Sequence, residues 1–279
     1  MGWKMGKEKE SINLKDTLNK EEIFLGILNG GTKVRLYNKD GQFWNDDKKD
    51  PSANEEFIKK LISNNKKELK SIDEKRAQFK IAKLINNGSE EEYGGWKCIC
   101  VEYSIPNHYT TGYKCGRQDF VFINKQGKLW FVELKVGYES CENIDTHYKA
   151  FCNIKNGDKK GGKSIKENIQ KGIYERLKKY KELNLYGFED FKKITQDKID
   201  IKNAKTDFLF LTTDGKLDND KIRAEIDNAK KINMDENVNR VESSLYAIHK
   251  INDTNFEKEL KKFFQGKLTK SSFINDSTK

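Results

Sequence analysis

Apolar and polar residues alternate along three stretches in the middle of the chain. WKCICVEYSI (96–105), DFVFIN (119–124) and KLWFVELKV (128–136) each read as a β-strand, the first bounded by Gly94, Gly95 and Pro106. Only KQG separates the last two, so a hairpin is expected there. Helical periodicity flanks these strands. Ahead of them, Ser52 with Glu55 and Ser71 with Glu74 have the spacing of capping boxes. They lead into segments that place Phe57, Leu61 and Ile62, then Phe79, Ala82, Leu84 and Ile85, on one face, which predicts one kinked helix or two over 53–87. Behind them, Ser164 and Glu167 cap SIKENIQKGIYERLKKYKEL, where Ile165, Ile169, Ile173, Leu177 and Tyr180 recur every three or four residues. TDFLFLTTDG (206–215) and SSLYAIHK (243–250) read as further strands, and NFEKELKKFFQGKL as a terminal amphipathic helix. Near the start, KEEIFLGIL reads as a short helix, TKVRLYN as a strand and KDGQFW as a turn. GSEEEYGG (88–95) reads as a solvated acidic turn, and the polar residues between 136 and 164 as a connection.

The order helix, three strands, helix, strand makes this an α/β protein. Its organisation reads as a small N-terminal subdomain over 1–52, a core over 53–255, and a C-terminal helix and tail over 256–279. Two prolines and no long Gly/Ser stretch argue against a flexible linker. The chain has no apolar run of about 20 residues, and MGWKMGKEKES lacks the apolar region of a signal peptide, so no membrane partner and a cytoplasmic location are expected. Five cysteines without a CxxC pair fit reduced thiols better than a disulfide frame or a zinc site. Lys and Arg number 54 against 44 Asp and Glu, a net charge of +10. That excess suits a polyanion, because neutralising phosphates releases condensed counterions. A/T-rich coding would give the same Lys-rich composition, so charge alone decides nothing.

The strand LWFVELKV changes that. Residues two apart share a face, so Trp130, Val132, Leu134 and Val136 point one way and Phe131, Glu133 and Lys135 the other. A carboxylate and an ammonium inside so apolar a strand are costly to desolvate unless paired or metal-bound. Asp119 opens the preceding strand, and a short turn can bring its carboxylate beside that of Glu133. Two converging carboxylates repel, and a divalent cation relieves the repulsion; Mg²⁺ takes one or two carboxylates and keeps several waters. A neighbouring lysine can position a water or stabilise charge growing on a phosphate. An exposed cross-strand salt bridge would account for the same residues without chemistry.

GRQDFVFINKQGKLWFVELKVG resembles the core of the PD-(D/E)xK nuclease superfamily, in which an Asp opens one strand and E-x-K lies on the next. The resemblance covers roughly 71–215, with Gln118 where the family has its proline. It implies a restriction-endonuclease-like core, a central mixed sheet flanked by the helices at 53–87 and 164–183. It also implies hydrolysis of phosphodiester bonds, in DNA more than RNA, with Mg²⁺ or in its place Mn²⁺, in restriction or another antiphage role. Asp119 and Glu133 would then be metal ligands and Lys135 the catalytic lysine. Glu74 matches the further acid that many members carry on the first helix, and a capping box with Ser71 accounts for it equally; Glu102 is a rival third carboxylate. Gln170 and Tyr174 are similar to the QxxxY element of the RecB-like and lambda-exonuclease-like branch, which contacts substrate, although they lie farther from the lysine than usual.

Lys159, Lys160 and Lys163 precede a helix N-terminus, where free N–H groups and positive charge suit a nucleic-acid phosphate, and Arg117 lies beside Asp119. His108 and His147 are near the site in sequence but belong to no metal-binding spacing. A catalytically inactive nucleic-acid-binding module of the same fold is the alternative, and a basic surface for an acidic protein partner a third reading.

Overall fold

The computed structural model describes residues 13–28, 33–38, 43–45, 73–105, 117–136, 144–156, 165–211, 243–248 and 255–269, with single helical positions within 55–62 and 220–227. Its frame is a five-stranded mixed sheet whose strands lie side by side in their order along the chain. β4 (Lys97–Ser104), β5 (Arg117–Ile123) and β6 (Lys128–Val136) are antiparallel neighbours, and β7 (Asp200–Leu211) and β8 (Ser244–Ile248) continue in parallel.

The alternation read in β6 separates two apolar layers. Phe131 belongs to one, with Val121, Phe208, Phe210 and the inward residues of α4 (Ile144–Asn156) and α5 (Ile165–Glu182). Trp130, Val132 and Leu134 belong to the other, with Phe79, Ala82 and Ile85 of α2 (Asp73–Asn87), Tyr93 of α3 (Glu90–Tyr93), and Leu260 and Phe263 of α6 (Phe256–Phe264). All five residues of the Ile165–Tyr180 stripe are buried, as their spacing requires.

The β5–β6 turn is closed by Asn124, whose side-chain oxygen accepts from the N–H groups of Gln126 and Lys128. Gly127 takes φ +79°, and a Cβ there would lie 2.3 Å from the Lys198 carbonyl oxygen. Its own carbonyl accepts from Asp200 N–H, which ties the hairpin turn to the start of β7. β7 therefore begins six residues before the stretch that reads apolar. Lys205, inside that early part, is accommodated over the rings of Trp130 and Trp96.

Three readings are corrected. IFLGIL is a strand rather than a helix: β1 (Ile23–Leu28) pairs antiparallel with β2 (Lys33–Asn38), which pairs with β3 (Phe43–Asn45), and the helix, α1, lies earlier at Leu14–Lys20. β1 contributes Phe24 to one apolar layer and Leu25 and Ile27 to the other, so both its faces are covered. The segment expected as an acidic turn is the helical turn α3, whose Ser89 and Glu92 form a capping box and whose Tyr93 is buried. The connection after β6 contains α4, with Ile144, Tyr148 and Phe151 inward. Among the described residues no helix is long and apolar enough to cross a membrane. Cys98, Cys100 and Cys152 are buried and form no disulfide.

Candidate functional site

Asp119 and Glu133 meet where the β5–β6 ladder stops. The last pair is Phe120 with Val132, so one step further the two carboxylates face each other across the strands. At that step Asp119 replaces the ladder with its side chain: Oδ2 accepts from Leu134 N–H at 2.7 Å, and Oδ1 from the Gln78 amide at 2.6 Å. Gln78 comes from α2, which packs on β4 and β6 and so delivers a buried amide to the strand end.

Glu133 is 2% exposed, and Asp119 and Lys135 are each 9% exposed. Lys135 Nζ and His147 Nε2 both lie 2.9 Å from Glu133 Oε1. The second oxygen, Oε2, is buried and has no hydrogen-bond partner among the described residues. Desolvation sets the electrostatics. Burial, reinforced by the charges of Glu133 and Glu74, holds the Asp119 carboxyl well above the usual carboxylate range. Burial lifts Glu133 to about 7 in spite of the Lys135 ammonium beside it. Burial and the Lys135 charge lower His147 to about 4, so its imidazole is neutral at neutral pH and its Nε2–H donates to Glu133. Two buried carboxylates that resist full ionisation, one with an orphaned oxygen, form a donor set that suits a hard divalent cation.

A second polar group adjoins the first. Glu102, on β4, has a left-handed backbone (φ 53°) that costs about 1–2 kcal/mol in a non-glycine residue. It breaks the strand's alternation, for Val101 packs in one apolar layer and Tyr103, two residues on, in the other. Its carboxylate collects three cations: Lys75 of α2 on Oε1, and Arg35 of β2 and Arg117 of β5 on Oε2, the last at 3.2 Å. Both oxygens of Glu102 are thus engaged by cations. Lys75 also donates to Gln78 Oε1 at 3.0 Å, so hydrogen bonds run without a break from Glu102 through Lys75 and Gln78 to Asp119.

The remaining expected site residues divide. Glu74 lies near enough for its charge to raise Asp119 and Glu133, but its half-exposed carboxylate contacts Lys75 at 3.5 Å. Among the described residues no three His, Cys, Asp or Glu side chains converge as a metal-binding group. Gln170 lies away from the pair. Its amide donates to the Ile199 carbonyl at 2.7 Å, beside the start of β7, which pairs with Lys128 at the opposite end of β6 from Glu133. Tyr174, one turn later, packs against the apolar layer. Both fasten α5 to the sheet. His147, near the site in sequence but without an assigned role there, is brought against Glu133 by α4. Lys159, Lys160, Lys163 and His108 lie outside the described residues. No protein-family model matches the chain, and no match was found among curated proteins or among solved structures.

Proposed function

We propose that the chain is a metal-dependent nuclease that hydrolyses phosphodiester bonds in DNA. The observation that carries this reading is the meeting of Asp119 and Glu133 across two strands, with Lys135 on one oxygen of Glu133 and the other oxygen buried and unpartnered. Mg²⁺ or Mn²⁺ held by Asp119 and Glu133 would supply Lewis-acid charge to a phosphate oxygen and to a bound water.

The protein's own groups prepare that chemistry. Leu134 N–H and Gln78 fix Asp119 from two directions, leaving each of its oxygens a lone pair to share. His147 and Lys135 together pin Glu133 Oε1, which leaves Oε2 as its open donor. Lys135 Nζ has three protons and only one of them is needed by Glu133, so the others can orient an attacking water or meet charge on the phosphate. The apolar layer of Phe131, Phe208 and Phe210 beneath these groups keeps bulk water away and strengthens every charge interaction above it.

Digestion of linear and circular DNA by the purified chain, with Mg²⁺ or Mn²⁺ and with chelator, tests the proposal. Cleavage that needs the cation and is lost in Asp119→Ala, Glu133→Ala and Lys135→Ala is the expected result. Undiminished cleavage by Lys135→Ala would overturn the assignment of the lysine. DNA binding without cleavage by the intact chain would leave an inactive binding module of the same fold.

A further inference from the structure

We propose that Lys75 and Gln78 are positioning residues that present Asp119 to the divalent cation, and that Lys75, unlike Lys135, touches none of the reacting groups. The inference rests on the reading of Asp119 as a cation ligand, and it can be tested without DNA.

The two lysines near Asp119 differ in what their protons meet. Lys135 Nζ contacts Glu133 Oε1. Lys75 Nζ faces three acceptors: Glu102 Oε1 on β4, Gln78 Oε1 at 3.0 Å and Glu74 Oε1 at 3.5 Å. An ammonium has three protons and no lone pair, so these acceptors use all that Lys75 can offer and leave none for a water or a phosphate. Burial lowers the Lys75 ammonium from its ordinary value, and the charge that opposes this most strongly is that of Asp119. Lys75 thus acts on Asp119 without touching it.

Gln78 carries that action. A side-chain amide has a donor end and an acceptor end, and by itself either end can face a neighbour. Lys75 removes the choice. Because an ammonium only donates, Gln78 must turn its oxygen to Lys75 and its NH₂ group to Asp119, whose Oδ1 accepts at 2.6 Å. Lys75 and Gln78 are three residues apart on α2, which places both on one face of the helix. Gln78 is fully buried, so no water competes for either end of the amide. Donation runs one way, from ammonium to amide to carboxylate, and each bond in such a chain polarises the next. With Leu134 N–H on Oδ2 at 2.7 Å, the Asp119 carboxylate is held at both oxygens before any cation arrives. Removing an outer hydrogen-bond partner of a ligating carboxylate typically costs about 10- to 100-fold in metal affinity.

The test is calorimetric titration of Mn²⁺ into the intact chain and its variants, with thermal unfolding measured alongside. Gln78→Met, which keeps the bulk and removes the amide, is expected to weaken Mn²⁺ binding about tenfold. Lys75→Met, which frees the amide to turn, should cause a smaller loss, and it carries the test alone if Gln78→Met does not fold. The double variant should bind no more weakly than Gln78→Met, because both residues act through one amide. Phe79→Leu, at the next position of α2 and buried in the apolar layer, should lower thermal stability and leave Mn²⁺ affinity unchanged. Native affinity in Lys75→Met and Gln78→Met would overturn the proposal, as would an equal loss in Phe79→Leu or losses that add in the double variant. If the variants behave as expected while the intact chain cuts no DNA, the positioning role stands and the hydrolytic reading falls. If the intact chain cuts DNA and both variants bind Mn²⁺ normally, only the positioning role falls. An intact chain that binds no Mn²⁺ would remove the cation site and both readings with it.

Discussion

Glu133→Gln should change the way stability depends on pH more than it changes stability itself. Burial lifts the Glu133 carboxyl from an ordinary 4.5 to about 7. Between those two values the folded chain keeps a proton that the unfolded chain has released. Stability contributed by this group is therefore full at low pH and falls as pH rises through that window. The slope approaches about 1.4 kcal/mol per pH unit, and a rise of roughly 2.5 units gives about 3 kcal/mol of loss by neutral pH. Asp119, raised by the same causes, adds to the trend. A glutamine carries no titrating proton, so the variant loses the Glu133 part of the slope; Lys135 and His147 lose a partner at every pH, which shifts the curve without tilting it. Urea unfolding at about pH 5, 6 and 7 in chelator measures the difference. Mg²⁺ should flatten the native curve by favouring the deprotonated pair, adding about 2.7 kcal/mol when present at about a hundred times its Kd. Parallel curves for the native chain and Glu133→Gln would refute the reasoning, for the buried carboxyl would then not be the source of the pH dependence.

Three further outcomes follow from the same geometry. His147→Ala should lower kcat about 10- to 100-fold with a smaller change in KM, and His147→Gln, which keeps a donor, should recover part of it; equal losses in both variants would remove its positioning role. Gln170→Ala should cost about 1 kcal/mol of stability by thermal unfolding, because one buried carbonyl loses its donor, and should leave kcat unchanged. Replacing Lys159, Lys160 and Lys163 with Gln should weaken binding to all DNA sequences alike and flatten the salt slope, since phosphate contacts carry no base information; an unaltered slope would return their charge to composition alone.

The elements legible in the sequence are those with one polar face. Glu133 and Lys135 stand out of LWFVELKV because Trp130, Val132 and Leu134 alternate with them, and Ile165 to Tyr180 mark α5 by their spacing. β1 does not read as a strand because IFLGIL is apolar on every side, and a run buried on both faces has no period to reveal it. α4 has Ile144, Tyr148 and Phe151 at helical spacing, but Asp145, Thr146, His147 and Lys149 between them dilute the signal. With α4 unread, His147 could not be placed against Glu133. The role of Glu102 depends on one backbone angle, which no residue type announces. Gln170 and Tyr174 match a pattern of four residues, yet only tertiary packing decides which end of the sheet such a helix face meets.

The pairing of β6 with β7 joins Glu133 to Phe208, roughly 75 residues on, whereas the β5–β6 hairpin closes over the four residues 124–127. Local hairpins form in microseconds, and long-range parallel pairing comes later. During folding, then, β6 waits as an open edge made largely of Leu, Trp, Phe and Val, the kind of segment that recruits another copy of itself into aggregates. Glu133 and Lys135 interrupt that edge with charges, which discourage edge-to-edge association while β7 is absent. The residues that make the finished site costly to bury thus guard the chain before it is finished. An apolar replacement at both positions would gain native stability and lose soluble yield.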